Sequence, residues 1–304
     1  GLEIKTEEGR ITKIKGDKSH PTSQGYVCEK SQRMDFYQNG ADRIDSPKRR
    51  RPDGSYESID WDTAIREIAE KFAAIKSKHG GESILYYGGG SQGNHLGGTY
   101  ADSTIKALGI QYRSNALAQE KTGEAWVQGK MMGAPVHGDF EHCEVAVFLG
   151  KNPWQSHGFA RIRVALREIE NDPNRAMIVI DPRRTEVADL ADLHLALRPG
   201  TDAFLLGALL AMILARGGQD DAFLAARTTG WDEVRAALEQ VPVDAWLAAA
   251  DISREQAEAA VNMIIDAKSM TVRADVGVQQ SRNSTLNAYF EKLLFLITGN
   301  FLRP

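Results

Sequence analysis

Two short apolar runs, each ending in a polar turn, constrain the fold of this chain more than any other feature. The run Met177–Ile180 ends in Asp181–Arg184, and the run Leu195–Leu197 ends in Arg198–Gly200. A brief run of large aliphatic residues is typical of a parallel strand that is buried on both faces. Because open α/β sheets bind ligands outside the carboxyl ends of their strands, two successive turns of this kind predict a ligand crevice.

The side chains in these turns suit a nucleotide. The carboxylate of Asp181 could hold a ribose or a base edge, and the guanidinium of Arg183 offers paired donors to a phosphate. Thr201 and Asp202 are placed to cap a helix that begins near Ala203. For one turn alone, a surface turn that closes a strand is the alternative, but the recurrence of the pattern favours binding.

The composition is that of a soluble globular protein, because 42% of the 304 residues are hydrophobic and 26% are charged. The net charge of −4 argues against a nucleic-acid binder, and we interpret the basic run Lys48–Arg51 as a solvated loop. No apolar run approaches the roughly 20 residues of a membrane span. No targeting segment is visible. A cytoplasmic location is the expectation, with any N-terminal signal lying outside the sequence. The two cysteines, Cys28 and Cys143, do not make a disulfide framework.

Hydrophobic periodicity predicts the main elements. Alternation over Glu3–Lys15 indicates a β-hairpin, and helical spacing after Asp60 indicates a helix that ends at Gly80. Further helices are predicted near Tyr100–Leu108, Gly158–Asn171, Ala203–Ala215, Gln219–Arg227, Asp232–Glu239, Ser253–Ala267 and Ser284–Thr298.

These elements predict an α/β protein of three domains. They are a small β-rich domain (1–51), an incomplete and discontinuous α/β domain (52–110 with 269–304), and a complete α/β domain (111–268). The discontinuity follows from the expectation that the strand Met270–Ala274 returns to lie beside Ser83–Tyr87 in one sheet.

Two further turns are candidates for ligand binding. The glycine-rich segment Gly88–Gly93 lacks the Gly-Lys-Ser/Thr of a Walker loop. It is either a strand-to-helix turn or a place where the backbone approaches a ligand. The turn Gly150–Pro153 closes the strand Val145–Leu149. Asn152 and Ser156 could hydrogen-bond a phosphate or a sugar there, with a capping role for Ser156 as the alternative.

In order and spacing, several segments resemble the molybdopterin oxidoreductase superfamily. They are Gly25–Lys30, Asp42–Ile44, Asp181–Glu186, Ala188–Asp192, Arg198–Asp202 and Thr298–Asn300. The resemblance covers essentially the whole chain and implies a DMSO reductase-like α/β fold. Members of this superfamily are large catalytic subunits that hold molybdenum or tungsten through two molybdopterin guanine dinucleotides. The resemblance also implies that this chain is the N-terminal portion of a longer enzyme.

The resemblance assigns roles to individual residues. Cys28 matches the fourth thiolate ligand of a [4Fe–4S] cluster, and Lys30 matches the lysine that relays electrons between cluster and pterin. The residues expected to bind the dinucleotide cofactor are Gln92, Gly93, Gly150, Lys151, Asn152, Ser156, Asp181, Arg183, Thr185, Arg198, Gly200, Thr201, Asp202, Gly277 and Gln279. A cluster needs four thiolates and a second pterin needs a further domain, so this chain alone is expected to carry neither group and to be inactive.

The segment Arg113–Gly133 departs from the family pattern. Many members place a metal-binding cysteine, selenocysteine or serine here, and this chain has no cysteine in the segment. Glu120 or Glu124 could supply a carboxylate oxygen to a hard, high-valent metal. Equally, the metal could have no protein ligand, and each glutamate alone is more simply a solvated charge on a helix.

The leading hypothesis is an oxidoreductase of the formate dehydrogenase or nitrate reductase kind, in which electrons pass from the metal through the pterin and Lys30 to the cluster. A small-molecule substrate and an electron-transfer subunit are the expected partners. Two alternatives stay open. One is a molybdenum-free electron-transfer or structural subunit, against which the joint retention of Gln92, Asn152, Asp181 and Asp202 argues. The other is a non-redox hydratase on the same scaffold.

Overall fold

The computed structural model describes residues 1–88 and 96–301, with the backbone alone for 96–99 and for Leu117. The chain divides into two compact units, Gly1–Gln119 and Glu120–Pro304. The first is built from small strand pairs and helices, and the second from a parallel sheet with helices packed against it. None of the helices within these ranges is long and apolar enough to cross a bilayer.

The first unit combines antiparallel hairpins with a parallel pair of strands. Its elements are β1 (Leu2–Glu7), β2 (Arg10–Gly16), α1 (Glu29–Gln32), α2 (Met34–Asn39), β3 (Lys48–Arg50), β4 (Tyr56–Ser58), α3 (Trp61–His79), β5 (Leu85–Gly88), α4 (Leu96–Leu108), β6 (Tyr112–Asn115) and α5 (Ala116–Glu120). Helix α3 begins where Asp60 Oδ1 accepts a hydrogen bond of 2.8 Å from the amide of Thr63. It ends at Gly80, as its sequence predicts.

The second unit is built on a four-stranded sheet in which all neighbouring strands are parallel. Its elements are α6 (Thr122–Met131), β7 (Val145–Leu149), α7 (Pro153–Ser156), α8 (Ile162–Asn171), β8 (Ala176–Ile180), β9 (Leu193–Leu195), α9 (Asp202–Ala215), α10 (Asp221–Arg227), α11 (Trp231–Leu238), α12 (Val243–Ala250), α13 (Arg254–Asp266), β10 (Met270–Ala274), α14 (Val276–Gln279) and α15 (Ser284–Ile297). The strand order is β10-β7-β8-β9. The chain runs outward from β7 to β9 and then returns to place β10 on the other side of β7. The order therefore reverses between β7 and β10, the position where open α/β sheets bind ligands.

The core of the second unit lies between this sheet and α9. Phe148 of β7 and Ile178 of β8 have no solvent exposure, which fits strands covered on both faces. Helix α9 is apolar around its circumference and buried along most of its length, as expected of a central helix. Helix α13, which packs against α9, begins in a capping box formed by Ser253 and Gln256.

Strand β10 is an edge of the sheet in the part of the chain that the structure describes. Two of its amides donate to side chains: Met270 to Oδ1 of Asn300 at 2.9 Å, and Ala274 to Oε1 of Glu291 at 3.3 Å. Glu291 is buried and forms an ion pair of 2.6 Å with Lys292, which is also buried. Burial raises the pKa of Glu291, and Lys292 opposes this rise. Side chains thus occupy edge positions that a further strand would otherwise use.

The predicted return of the chain to an earlier sheet is wrong. Strand β10 pairs with β7, whereas β5 pairs with β6. An apolar run identifies a buried strand but not its neighbour, and the two runs Met270–Ala274 and Val145–Leu149 match along their full length. The assignment of 269–304 to a discontinuous domain with 52–110 loses its support, and the three-domain division stays a prediction.

Two local predictions are also corrected. The basic run is not a loop, because Lys48–Arg50 form β3, where Arg49 pairs with Glu57 at 3.0 Å and with Glu67 at 2.6 Å. These carboxylates offset the charge of Arg49 within the strand. The predicted helix Gly158–Asn171 begins at Ile162, because the preceding residue, Arg161, lies in the left-handed region.

Candidate functional site

The loops that follow β7 and β10 meet at the reversal of strand order. Gly150 has a φ of 54°, in the left-handed region that favours glycine. A Cβ atom added to Gly277 would lie 2.6 Å from the carbonyl oxygen of Gly150, which is too close for any side chain. Glycine at these positions therefore allows the two backbones to approach closely at the carboxyl edge of the sheet, the edge where open α/β sheets bind ligands.

A group of charges, centred on the buried Lys151, joins the two loops. Lys151 Nζ pairs with Oδ2 of Asp275 and donates to Oγ of Ser156 at 3.1 Å. Lys121, immediately before α6, lies 2.8 Å from Oδ1 of the same aspartate and 3.7 Å from Oε2 of Glu124. Burial lowers the pKa of Lys151. Burial would raise the pKa of Asp275, but hydrogen bonds from Lys121 and Lys151 overcome it and hold that pKa at about 2.

The side chain of Asn152 bridges the loops after β7 and β8. Its Nδ2 donates to Oε2 of Glu186 at 2.6 Å, and Gln155 donates to the other carboxylate oxygen at 2.7 Å. The hydrogen bonds from Gln155 and Asn152 lower the pKa of Glu186. Oδ1 of Asn152 is buried without a hydrogen-bond partner, which is costly unless a ligand donates to it.

The turn after β8 is held by its own hydrogen bonds. Oδ1 of Asp181 accepts from the amide of Arg183 at 2.9 Å, and Nε2 of His194 lies 2.9 Å from the Asp181 carbonyl oxygen. The side chain of Arg183 is exposed. Thr185 is buried, and its hydroxyl accepts from the amide of Ala188 at 3.3 Å. Arg183 is thus accessible to a ligand, and Asp181 is partly exposed beside it.

The turn after β9 brings a second carboxylate to the same edge. Asp202 is buried at the start of α9, where burial raises its pKa and the charge of Asp181 raises it further. Thr201 precedes α9 but does not cap it with its side chain as predicted, because its hydroxyl donates to the carbonyl of Arg198 at 2.6 Å. Gly200 has open space beside its Cα, and a ligand could approach the backbone there.

Helices α6 and α14 contribute a further polar pair. Gln279 and Glu124 are both buried, and Oε1 of Gln279 accepts from the amide of Glu124 at 2.9 Å. Oε1 of Glu124 accepts a hydrogen bond from Gln128 at 3.3 Å. The other carboxylate oxygen, Oε2 of Glu124, has no hydrogen-bond partner, and neither has Nε2 of Gln279. Glu124 is therefore not the solvated charge of the simpler interpretation. Glu120 ends α5 and is partly exposed.

Cys28 lies in the first unit, immediately before α1. Its Sγ is 3.5 Å from Oγ of Ser31, and this hydrogen bond lowers the pKa of the thiol. Lys30 is exposed two residues later. Four thiolates are needed to hold a [4Fe–4S] cluster, so the residues of this chain do not fit the cluster by themselves. Within residues 1–88 and 96–301, no group of three or more His, Cys, Asp or Glu side chains is arranged to hold a metal ion.

The second unit gathers most of the predicted binding residues on the turns at one edge of its sheet. They are Gly150, Lys151, Asn152, Ser156, Asp181, Arg183, Thr185, Arg198, Gly200, Thr201, Asp202, Gly277 and Gln279. Gln92 and Gly93 lie outside the described residues. Sequence reasoning missed Lys121, Asp275 and Glu186 as parts of this site. For Asp275 the signal was present, because it directly follows a buried strand as Asp181 does.

The buried atoms without partners fit a polar, nucleotide-like ligand. Asn152 lies in the turn after β7 and Gln279 ends helix α14 after β10, on either side of the reversal point, and each has one such atom. Native proteins pair nearly all of their buried polar groups, so a ligand between these loops would supply the missing partners. The residues present therefore fit the dinucleotide cofactor that the resemblance implies.

Comparison with known families defines the class of protein that this fold and site represent. Residues 43–300 match the family described as molybdopterin oxidoreductase, and residues 1–40 match the molybdopterin oxidoreductase Fe4S4 domain. The chain belongs to the molybdopterin oxidoreductase family. The predicted superfamily is confirmed, and so is the predicted DMSO reductase-like α/β fold.

Individual relatives are similar over most of this chain. It is 27% identical to formate dehydrogenase H of Escherichia coli over 316 residues. This alignment covers 100% of this chain and 43% of that protein. It is 31% identical over 231 residues to a nitrate reductase of Shewanella frigidimarina, covering 72% of this chain and 23% of that protein. Among solved structures, acetylene hydratase from Pelobacter acetylenicus shares the fold, with a TM-score of 0.85, 24% identity, and coverage of 99% of this chain and 42% of that one. The chain spans less than half the length of these relatives.

Proposed function

We propose that the crevice at the carboxyl edge of the second unit holds a molybdopterin guanine dinucleotide in the catalytic subunit of a molybdenum or tungsten oxidoreductase. The observation that carries this proposal is the pair of buried, unpartnered polar atoms on Asn152 and Gln279, on either side of the reversal point. A bound dinucleotide would give both atoms partners. The bound metal would supply the redox chemistry, and the residues of this chain would bind and orient the cofactor.

The two carboxylates at this edge suit the guanine end of the ligand. The guanine base carries N–H donors, and carboxylate oxygens of Asp181 and Asp202 are acceptors for them. Asp202 also lies at the first turn of α9, where the positive end of the helix dipole favours a negatively charged group of the ligand. The exposed guanidinium groups of Arg183 and Arg198 are available to phosphate oxygens.

The reaction of the whole protein follows from its relatives only as a proposal. We propose a small-molecule substrate, with formate and nitrate as the precedents that the names of the relatives offer. Electrons would leave through Lys30 and a [4Fe–4S] cluster, of which this chain supplies Cys28, to an electron-transfer subunit. A cytoplasmic location is part of the same proposal.

The substitution Asp181→Ala tests the placement of the guanine end. In full-length protein produced with its cofactor, we expect it to weaken retention of a guanine dinucleotide by about 1–3 kcal/mol, because buried donors of the base lose their acceptor. The measurement is guanine nucleotide released by acid from the purified protein, determined by chromatography.

The matched control is Asp189→Ala, which removes an exposed carboxylate paired with Arg184 in the same turn. It should leave the nucleotide content unchanged. Wild-type nucleotide content in the Asp181→Ala protein would show that this turn does not bind the guanine end.

A further inference from the structure

Three charged side chains from three segments meet between the loops that border the crevice. Lys151 belongs to the loop after β7, and Asp275 belongs to the loop after β10. Lys121 immediately precedes α6. The side chain of Lys151 is 1% exposed, that of Asp275 is 17% exposed and that of Lys121 is 20% exposed. The two lysines bind opposite oxygens of the one carboxylate, so the aspartate holds both at once.

The ammonium group of Lys151 is not available to a ligand. It is enclosed, and its hydrogen bonds go to Asp275 and to Ser156. An anion in the crevice could reach it only by displacing the aspartate. A buried charge is tolerated only when it is paired, so breaking the ion pair between Lys151 and Asp275 would cost stability. The predicted role of Lys151 as a direct cofactor contact therefore fits its surroundings poorly.

We propose that Lys151, Asp275 and Lys121 are positioning residues that tie the loops after β7 and β10 together and set the separation at which Asn152 and Gln279 face a ligand. This inference rests on the proposed function in so far as the ligand is the dinucleotide. The three residues are called the charged brace below.

The contacts of the charged brace predict different effects for substitutions of Lys151 and of Asp275. In Lys151→Met, Asp275 keeps Lys121 as its partner at 2.8 Å. In Asp275→Asn, Lys121 keeps Glu124 at 3.7 Å, but the enclosed Lys151 loses the carboxylate with which it pairs among the described residues. Loss of the aspartate should therefore be the more damaging change. The double variant should be milder than Asp275→Asn alone, because no uncompensated charge is left.

The first experiment measures amide hydrogen exchange of the 304-residue chain in the two loops, residues 150–157 and 275–280. In Asp275→Asn both loops should exchange at least about tenfold faster, because local opening relieves the unpaired charge. Lys151→Met should cause a smaller increase, and adding it to Asp275→Asn should reverse most of the effect. The controls Lys130→Met and Asp266→Asn alter exposed charges of the same unit and should change neither loop.

The second experiment uses GDP as the probe ligand, with binding measured by equilibrium dialysis. If the charged brace positions the loops, the affinity for GDP falls most in Asp275→Asn and is largely restored when Lys151→Met is added. A lysine that contacts the ligand predicts the reverse order, because Lys151→Met would then be the worst variant and Asp275→Asn would free the cation. The variant Leu209→Ala, in the buried helix α9, lowers global stability and should leave the GDP affinity unchanged.

Additive effects on exchange, an effect confined to one loop, or the reversed order of affinities would each overturn the charged brace. If GDP does not bind to the wild-type chain, the proposed guanine site fails in this form. The charged brace is then decided by hydrogen exchange alone, which needs no ligand.

Discussion

The two cysteines of the chain have opposite environments. Cys28 is partly exposed, and its hydrogen bond with Ser31 lowers the pKa of the thiol. Cys143 is 4% exposed, and burial raises the pKa of its thiol to about 11, even though Arg175 lies 4.0 Å from the sulfur. Because the thiolate is the reactive form, the two residues should differ strongly in reactivity.

Alkylation with iodoacetamide at pH 8 tests this difference. Cys28 should be modified in the native chain, whereas Cys143 should be modified only after unfolding, because it is both protonated and enclosed. Peptide mass spectrometry locates the label. In the control Cys28→Ser, the native chain should take up no label, and labelling of native Cys143 would contradict the burial described here.

At the residue scale, sequence predicted positions better than partners. Asp181 and the Gly150 turn were recognisable because polar residues interrupt apolar runs at strand ends. The ion pair of Lys151 with Asp275 joins residues 124 positions apart. Only the adjacency of β7 and β10 creates it, and no local pattern encodes that adjacency.

Helix α9 shows how closely an element can be packed around a single position. A Cβ atom added to Gly207 would overlap the indole ring of Trp246 and would lie 3.2 Å from the ring of Phe290. Those rings belong to α12 and α15, so glycine at this position allows three helices to pack closely. In contrast, Gly129 in α6 has no atom within 4 Å of the place where its Cβ would lie.

The matched pair Gly207→Ala and Gly129→Ala should therefore move stability in opposite directions. Gly207→Ala should lower the free energy of unfolding by about 1–3 kcal/mol through overpacking. Gly129→Ala should raise it by about 0.5–1 kcal/mol, because alanine restricts the unfolded chain without a clash in the helix. Urea titration of both variants measures the difference, and equal effects would contradict the packing of α9.

At the element scale, long periodic helices were predicted well, whereas the neighbour of β10 was not. The helices after Asp60 and near Ser253 have strong caps and were placed within about two residues of their observed ends. Helix α12 was missed because its alanine-rich sequence carries a weak periodic signal. The pairing of β10 was wrong because strand neighbours depend on tertiary packing.

The molecule as a whole consists of two compact units that carry different candidate functional residues. The second contains the polar turns at the carboxyl edge of the four-stranded sheet. The first contains Cys28 and Lys30 and matches the Fe4S4 domain of the family. The superfamily was recognisable from sequence because its motifs are local. The geometry of the site could not be predicted in the same way, since it depends on the order of the strands.

The 304-residue chain by itself should purify with substoichiometric iron and molybdenum. It has two cysteines, and a [4Fe–4S] cluster needs four thiolates. Inductively coupled plasma mass spectrometry after anaerobic purification measures both metals, with full-length protein from the same host as the control. Stoichiometric iron or molybdenum on the chain would mean that it has ligands other than those described.

The side chains along the edge of β10 bear on how copies of this protein behave in concentrated solution. A strand with free outward amides is a template on which other molecules can build intermolecular sheets. On β10, Asn300 and Glu291 already occupy two amides, and Glu291 is anchored by Lys292. An incoming strand would have to displace both side chains and disrupt a buried ion pair. This edge is therefore protected against aggregation by residues that also belong to the fold.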